Sequence, residues 1–248
     1  MDNCFKIITP FYNAEKWLSF CINSVKKQKY KNYQHIIIND CSTDNSLEKI
    51  KSLTFNEERV KLLNTEKNGG ALATAFFGIS QSELKDEDII VILDGDDWFS
   101  SEETLKILND VYNEQDCWMT YGSYVEYPGY KPGKFSRKIP ENIIKNNLYR
   151  ESEYMSSHLR SFKYKLWKKI IEDDLKNNED IFYPSAGDVA VMFPMLEMSG
   201  NKAFFIDKIL YVYNRENPLN DDKIDNKKQI MFEREIRLKN KYRTLEEL

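Results

Sequence analysis

The chain has 248 residues, a length of one large domain or two small ones at about 150 residues per domain. A chain this long buries roughly 70–75% of its unfolded surface, so its core needs neither a disulfide nor a structural metal. Lys and Arg number 36 against 40 Asp and Glu, and the net charge of -4 excludes a global basic field for nucleic acid, leaving only a local patch open.

Mean hydropathy is -0.62, polar but far from disordered, because 15 Tyr, 14 Phe and 4 Trp supply large buried area. The 9 Gly and 7 Pro exclude collagen-like and low-complexity chains. Cys4, Cys21, Cys41 and Cys117 form no CxxC pair, and with only His35 and His158 beside them a structural zinc site is excluded. Sparse cysteines predict reduced thiols and a cytoplasmic setting, the host cytoplasm if the chain is viral. No apolar run reaches a transmembrane length of about 18 residues. The start, MDNCFKIITPFYN, enters a strand at once, so no signal peptide is expected.

Cys4–Pro10 is a short apolar run stopped by proline and predicts a strand. Asn13 is placed to cap a helix over Glu15–Lys27, whose Trp17, Leu18, Cys21, Ile22 and Val25 share one face. Tyr33–Asn39 predicts a buried strand, followed by a helix capped by Ser42 or Thr43 and carrying Leu47, Ile50 and Leu53. Val60–Asn64 is a third strand, and Gly69-Gly70 opens a helix over Ala71–Ser80. Asp88–Leu93 is the most apolar strand and ends in Asp94-Gly95-Asp96-Asp97. A helix over Glu102–Asn113 and a strand over Trp118–Tyr121 follow.

Residues 122–150 read as loop. Tyr164–Ile171 reads as helix, Asp188–Ser199 as an apolar helix interrupted at Pro194, and Lys202–Asn214 as two short strands about Asp207-Lys208. Residues 227–242 form a charged surface helix, whose basic face leaves peripheral membrane association open. Alternating strands and helices, with strands apolar throughout, predict an α/β fold: a mostly parallel sheet covered by helices on both faces. No repeat or linker divides it, so 1–248 is expected to be one domain, possible homodimer formation left open.

In such sheets ligands bind beyond the carboxyl ends of the strands. Three carboxylates in four residues at Asp94–Asp97 repel one another, and a hard divalent cation relieves that, whereas a solvated acidic turn is the plain alternative. Gly95 permits close backbone approach. Asp40, in Asn39-Asp40-Cys41-Ser42-Thr43-Asp44, can accept a hydrogen bond from a nucleobase imide, although capping explains most of that string. Asn68-Gly69-Gly70 offers backbone N–H groups at a helix start but has no P-loop lysine.

Ile8-Thr9-Pro10-Phe11-Tyr12-Asn13, then Asn39–Asp44, Asn68 with Gly70, and Asp94–Asp97 together resemble, in order and spacing, the family 2 glycosyltransferases of the GT-A fold. The resemblance is clear over residues 4–121. It implies a Rossmann-like nucleotide-diphospho-sugar transferase fold, with 1–121 binding the donor and 122–248 the acceptor. It implies inverting transfer from a UDP-sugar to a hydroxyl of a glycan, protein or lipid, with Mn2+ or Mg2+. Thr9, Pro10, Tyr12 and Asp40 then correspond to base-binding elements, with Asn68 and Gly70 beside them. Asp94 and Asp96 match the metal-binding D-x-D. Asp188, opening a helix, resembles the general base, with Gly187 where many members have Glu. Trp98, His158, Arg160 and Lys163 are expected phosphate or acceptor contacts, and water or Asn217 supplies the third metal ligand. A haloacid dehalogenase-type phosphatase using Asp94 as nucleophile, and a non-catalytic nucleotide-sugar binder, are the alternatives.

Overall fold

The computed structural model describes residues 2–248, with Asp222 by its backbone alone. The first half follows the expected alternation: β1 (Phe5–Phe11), α1 (Leu18–Lys26), β2 (Tyr33–Asn39), α2 (Ser46–Leu53), β3 (Val60–Asn64), α3 (Gly70–Ser80) and β4 (Ile89–Ile92). Then come β5 (Trp98–Phe99), α4 (Thr104–Glu114), β6 (Met119–Tyr127), β7 (Lys131–Pro132) and α5 (Glu141–Lys145). The second half adds β8 (Arg160–Lys163), α6 (Tyr164–Trp167), α7 (Gly187–Ser199), β9 (Ala203–Asn214) and α8 (Asp221–Leu238).

One sheet runs through both halves in the order β3-β2-β1-β4-β8-β6-β9-β5, with β7 paired to β6. It is parallel from β3 to β4 and mixed beyond: β8 is antiparallel to β4 and β6, β9 is parallel to β6, and β5 is antiparallel to β9. The mostly parallel sheet therefore holds for the first half of the chain, and the whole sheet is mixed. The isoleucines of β1 and β2, with Ile89 and Ile90 of β4, are buried on both faces, as a covered parallel sheet requires.

Several local expectations are corrected. β8 lies where no strand was expected, because Arg160 and Ser161 disguise it; the Ser161 hydroxyl is bonded by Tyr112 at 3.0 Å and Thr120 at 2.6 Å. Residues 122–127 continue β6 instead of forming loop, and α5 lies within the rest of that stretch. Lys202–Asn214 holds one strand, because a register shift opposite Gly122–Tyr124 absorbs Asp207-Lys208. α7 runs through Pro194 unbroken; packing on every side compensates the missing N–H.

Asn13, Ser42 and Thr43 cap no helix. α1 and α2 start at Leu18 and Ser46. Instead, Asn13 Oδ1 accepts from the Thr43 N–H at 2.7 Å and the Asp44 N–H at 3.3 Å, while the Asn13 N–H donates to Ser42 Oγ at 3.0 Å. These short polar side chains stitch the loop after β1 to the loop after β2, which fixes the rim carrying Tyr12 and Asp40.

Candidate active site

The carboxyl ends of β1, β2 and β4 open onto a cleft of about 1020 Å³, walled opposite by α7 and α8. Pro10, Tyr12, Asp40, Asn68, Gly70, Asp94, Gly95 and Asp96 line it from the first half of the chain, and His158, Arg160 and Asp188 from the second. Sequence reasoning thus gathers most of its candidates in one place. Three do not reach it. Thr9 is 0% exposed and its hydroxyl bonds His35 Nε2 at 2.8 Å, so it supports the rim from behind. Lys163 leaves the opposite end of β8 and pairs with Glu87 at 3.4 Å. Trp98 turns away and packs on Phe20 and Tyr127.

β4 delivers the acidic turn, and β1 holds it: the Gly95 N–H donates to the Pro10 carbonyl at 3.0 Å. A Cβ on residue 95 would lie 2.5 Å from Phe11 Cβ, so only glycine allows the two strand ends to approach this closely. The three carboxylates then diverge in role. Asp97 is 0% exposed; its Oδ2 accepts from the Tyr211 hydroxyl at 2.6 Å and its Oδ1 from the Asn214 N–H at 2.7 Å. Burial, then the charges of Asp96 and Asp94, push its carboxyl well up. Asp96 Oδ2 accepts from Asn217 Nδ2 at 2.7 Å, and burial raises its pKa to about 6. Asp94 is pushed up by burial, against the pull of Arg160.

Arg160 enters through β8, opposite Ile92 of β4, and its Nη2 lies 3.2 Å from Asp94 Oδ2. Burial opposes its charge, but Asp94 and Asp188 outweigh burial and keep it a cation. Its Nε is buried without a hydrogen-bond partner. His158 stacks on Tyr211 with ring centroids 4.3 Å apart, and its Nδ1 is 3.3 Å from Arg160 Nη2. Burial and then Arg160 push the imidazole well below its usual range, so it is neutral.

Asp94, Asp97 and His158 each bring one ligand atom within 4.8 Å of the others. Both Asp97 oxygens are already bonded and His158 is held by its stack, so Asp94 and Asp96 are the carboxylates suited to an ion facing the cleft. Crowded oxygen donors with raised pKa values fit a hard divalent cation such as Mg2+ or Mn2+. Asn217 Nδ2 donates to Asp96 at 2.7 Å and its Oδ1 accepts from the Leu219 N–H at 3.0 Å, which holds the amide beside the acidic turn.

At the end of β2, Asp40 is 2% exposed. Its Oδ1 accepts from Thr65 Oγ1 at 3.0 Å and the Gly69 N–H at 2.9 Å, and its Oδ2 from the Gly70 N–H at 2.9 Å. The amides expected to face a ligand are therefore occupied by Asp40, which serves as the anion at the start of α3. Oδ2, with one bond, keeps acceptor capacity.

Asp188 stands in the first turn of α7, half-buried. A Cβ on Gly187 would lie 2.9 Å from Leu72 Cβ of α3, so α7 crosses α3 too closely for a larger residue at the position where the resemblance implies a glutamate. Tyr211 and Asn214, which hold Asp97, were missed from the sequence. They lie in β9 without a motif, and nothing local distinguishes them from core residues.

The description "Glycosyl transferase family 2" matches residues 6–171. The chain belongs to that family. Glycosyltransferase GlyG of Streptococcus pneumoniae is 27% identical over 222 residues, covering 87% of this chain and 72% of GlyG. A crystal structure of Staphylococcus aureus TarS 1–349 in complex with UDP-GlcNAc superposes with a TM-score of 0.64 at 21% identity, covering 86% of this chain and 59% of that one. The mannosyltransferase PcManGT from Pyrobaculum calidifontis, in complex with GDP-Man and Mn2+, gives 0.57 at 16% identity, covering 84% and 56%. The fold is accordingly GT-A, and the phosphatase alternative is set aside. The chain spans less than two thirds of both solved proteins. Among the described residues, no helix is long and apolar enough to cross a membrane.

Proposed function

We propose that this family 2 glycosyltransferase is metal-assisted and inverting, and moves a sugar from a UDP-sugar to a hydroxyl acceptor. The observation that carries this reading is that one cleft places Asp188 across from the Asp94–Asp96 turn, with the Arg160 cation electrostatically coupled to both sides. The UDP-GlcNAc bound to TarS and the Mn2+ bound to PcManGT support it by analogy of fold.

Each residue then has a physical task. Asp40 Oδ2 accepts the imide N–H of uracil, and Tyr12, 39% exposed at the rim, stacks beside the base. Asp94 and Asp96 hold Mn2+ or Mg2+. When bound, that ion supplies Lewis-acid neutralisation of the charge growing on the departing β-phosphate. Arg160, with its unpartnered Nε, gives the diphosphate a fixed positive charge in a buried setting. Asn217 orients Asp96. Asp188 accepts the acceptor hydroxyl's proton as the new C–O bond forms on the face opposite the leaving diphosphate, which inverts the anomeric centre.

The sheet shared by both halves supports one domain over 1–248, with donor binding in 1–121 and acceptor binding in 122–248. The acceptor is a glycan, protein or lipid hydroxyl, and the setting is cytoplasmic.

The test is slow hydrolysis of UDP-sugars by the purified chain. Asp188→Asn should abolish turnover while UDP binding persists. Binding with no turnover in the unaltered chain, across the common UDP-sugars, would instead make it a non-catalytic binder.

A further inference from the structure

Four aromatic side chains make a connected cluster at the surface outside the cleft, resting on the buried Trp17. Phe20 of α1 meets Trp98 of β5 at 5.2 Å between centroids, and Trp98 meets Tyr127, at the end of β6, at 5.2 Å. Trp17 closes the group with Phe20 and Tyr127, each at 6.4 Å, and Tyr130 extends it from Tyr127 at 5.8 Å. Trp17 is buried, 5% exposed, and forms the floor of the group; Phe20, Trp98, Tyr127 and Tyr130 belong to none of the three hydrophobic clusters of the core and do not line the cleft. Phe20 is 52% and Tyr130 57% exposed. Tyr130 also has a left-handed backbone, φ 51°, where Gly or Asn would be less strained, so the turn holds a large ring outward against a backbone cost.

The cluster is continuous with the active-site mouth. Tyr127 and Tyr130 are the two ends of the turn between β6 and β7. Glu126, Lys131 and Pro132 of the same hairpin line the cleft. The hairpin that carries Tyr127 and Tyr130 therefore also forms part of the cleft wall. The chemistry favours a saccharide over a second protein surface. The rings carry indole and phenol polar groups, Lys16 Nζ sits 4.1 Å over Trp17, and an ion pair of Lys16 with Glu216 at 3.6 Å borders the cluster. Exposed aliphatic side chains such as Ile171, Ile181 and Leu238 lie in other elements. Pyranose rings present C–H faces to aromatic planes and hydroxyls to such polar edges.

We infer that Phe20, Trp98, Tyr127 and Tyr130 form a second saccharide-binding platform, which holds an acceptor glycan beyond the sugar being extended. The inference rests on the glycosyl-transfer reading for its ligand, but the platform is separate from the donor site.

The experiment titrates the full chain with cellohexaose, chitohexaose and maltohexaose, read by tryptophan fluorescence, with UDP binding measured in parallel by calorimetry. At least one oligosaccharide should bind saturably. Trp98→Ala and Phe20→Ala should each weaken it by about tenfold or more, with UDP affinity unchanged. Tyr130→Gly guards against misfolding: it relaxes the turn, so the melting temperature should not fall while oligosaccharide affinity does. Saturable binding of none of the three, or binding indifferent to all three variants, overturns the platform. So does a dimer that these variants convert to monomer in sedimentation, which would make the cluster an interface between copies. Loss of UDP binding by the unaltered chain would count against the transferase reading, leaving the platform to be judged by the titration alone.

Discussion

Arg160 Nη2 lies 3.2 Å from Asp94 Oδ2, an ion pair formed because β8 runs antiparallel to β4 and sets Arg160 opposite Ile92. The pair gives the acidic turn a cation that stays charged, and its guanidinium keeps an unpartnered Nε. Lysine can supply the charge but not the planar fork. Arg160→Lys should therefore leave the melting temperature nearly unchanged yet weaken UDP binding about tenfold, by calorimetry. Unchanged UDP affinity would remove Arg160 from the diphosphate site.

Gly95, in the turn after β4, packs its backbone against the end of β1, its N–H bonded to the Pro10 carbonyl at 3.0 Å. An alanine Cβ would sit 2.5 Å from Phe11 Cβ, so the turn must move. Gly95→Ala should cost about 1–3 kcal/mol, read from the urea midpoint, and should also weaken Mn2+-dependent UDP binding because Asp94 and Asp96 shift with the turn.

His35 is buried against Thr9, and burial lowers its pKa from 6.5 to about 3. The unfolded chain therefore binds a proton between pH 6.5 and 3 that the folded chain refuses. Its contribution is fully present above pH 6.5 and is lost as pH falls through that window, by about 2 kcal/mol at pH 5. The raised carboxyls of Asp94, Asp96 and Asp97 act in the opposite direction, so the informative quantity is a difference. The melting temperature of His35→Gln should fall less steeply from pH 7 to pH 5 than that of the unaltered chain. Parallel curves would contradict the buried neutral imidazole.

Arg150 and Glu197, with side chains 3% and 0% exposed, form a bidentate pair at 2.6 and 3.0 Å that fastens α7 to the end of α8 through the Ile236 carbonyl. Arg150→Met should cost about 3–5 kcal/mol by leaving a buried carboxylate unpaired. Arg150→Met combined with Glu197→Leu should recover much of that, since removing both charges removes the unpaired one. Denaturant unfolding of the single and double variants checks the ordering.

The parallel half of the fold was legible because β1 and β2 are apolar runs buried on both faces and even the half-buried edge strand β3 is mostly apolar. Tyr33–Asn39 and Val60–Asn64 are strands with the bounds expected from apolar content alone. β8 was not legible: it is a central strand whose Arg160 and Ser161 are satisfied by Asp94, Tyr112 and Thr120, partners 40 or more residues away in sequence. At the site, the acidic turn and Asp40 were visible as residues of the right chemistry beside strand ends, while Asp188 came from the family resemblance and Arg160 from its charge alone. Which oxygens they keep available was not. That depends on Tyr211 and Asn214 binding Asp97, and on Asp40 capping α3, relationships set by sheet order. Trp98 and Lys163 lie near the site in sequence but point elsewhere, since successive side chains alternate across a strand.

The central claim is that Asp94 and Asp96 hold a divalent ion against a nucleoside diphosphate. Calorimetric titration of UDP with Mn2+ present and with EDTA in its place tests it most directly, repeated on Asp96→Asn. The account predicts tight binding only with Mn2+, reduced in the variant to the EDTA level. Equal affinity in Mn2+ and EDTA, unchanged by Asp96→Asn, would contradict it.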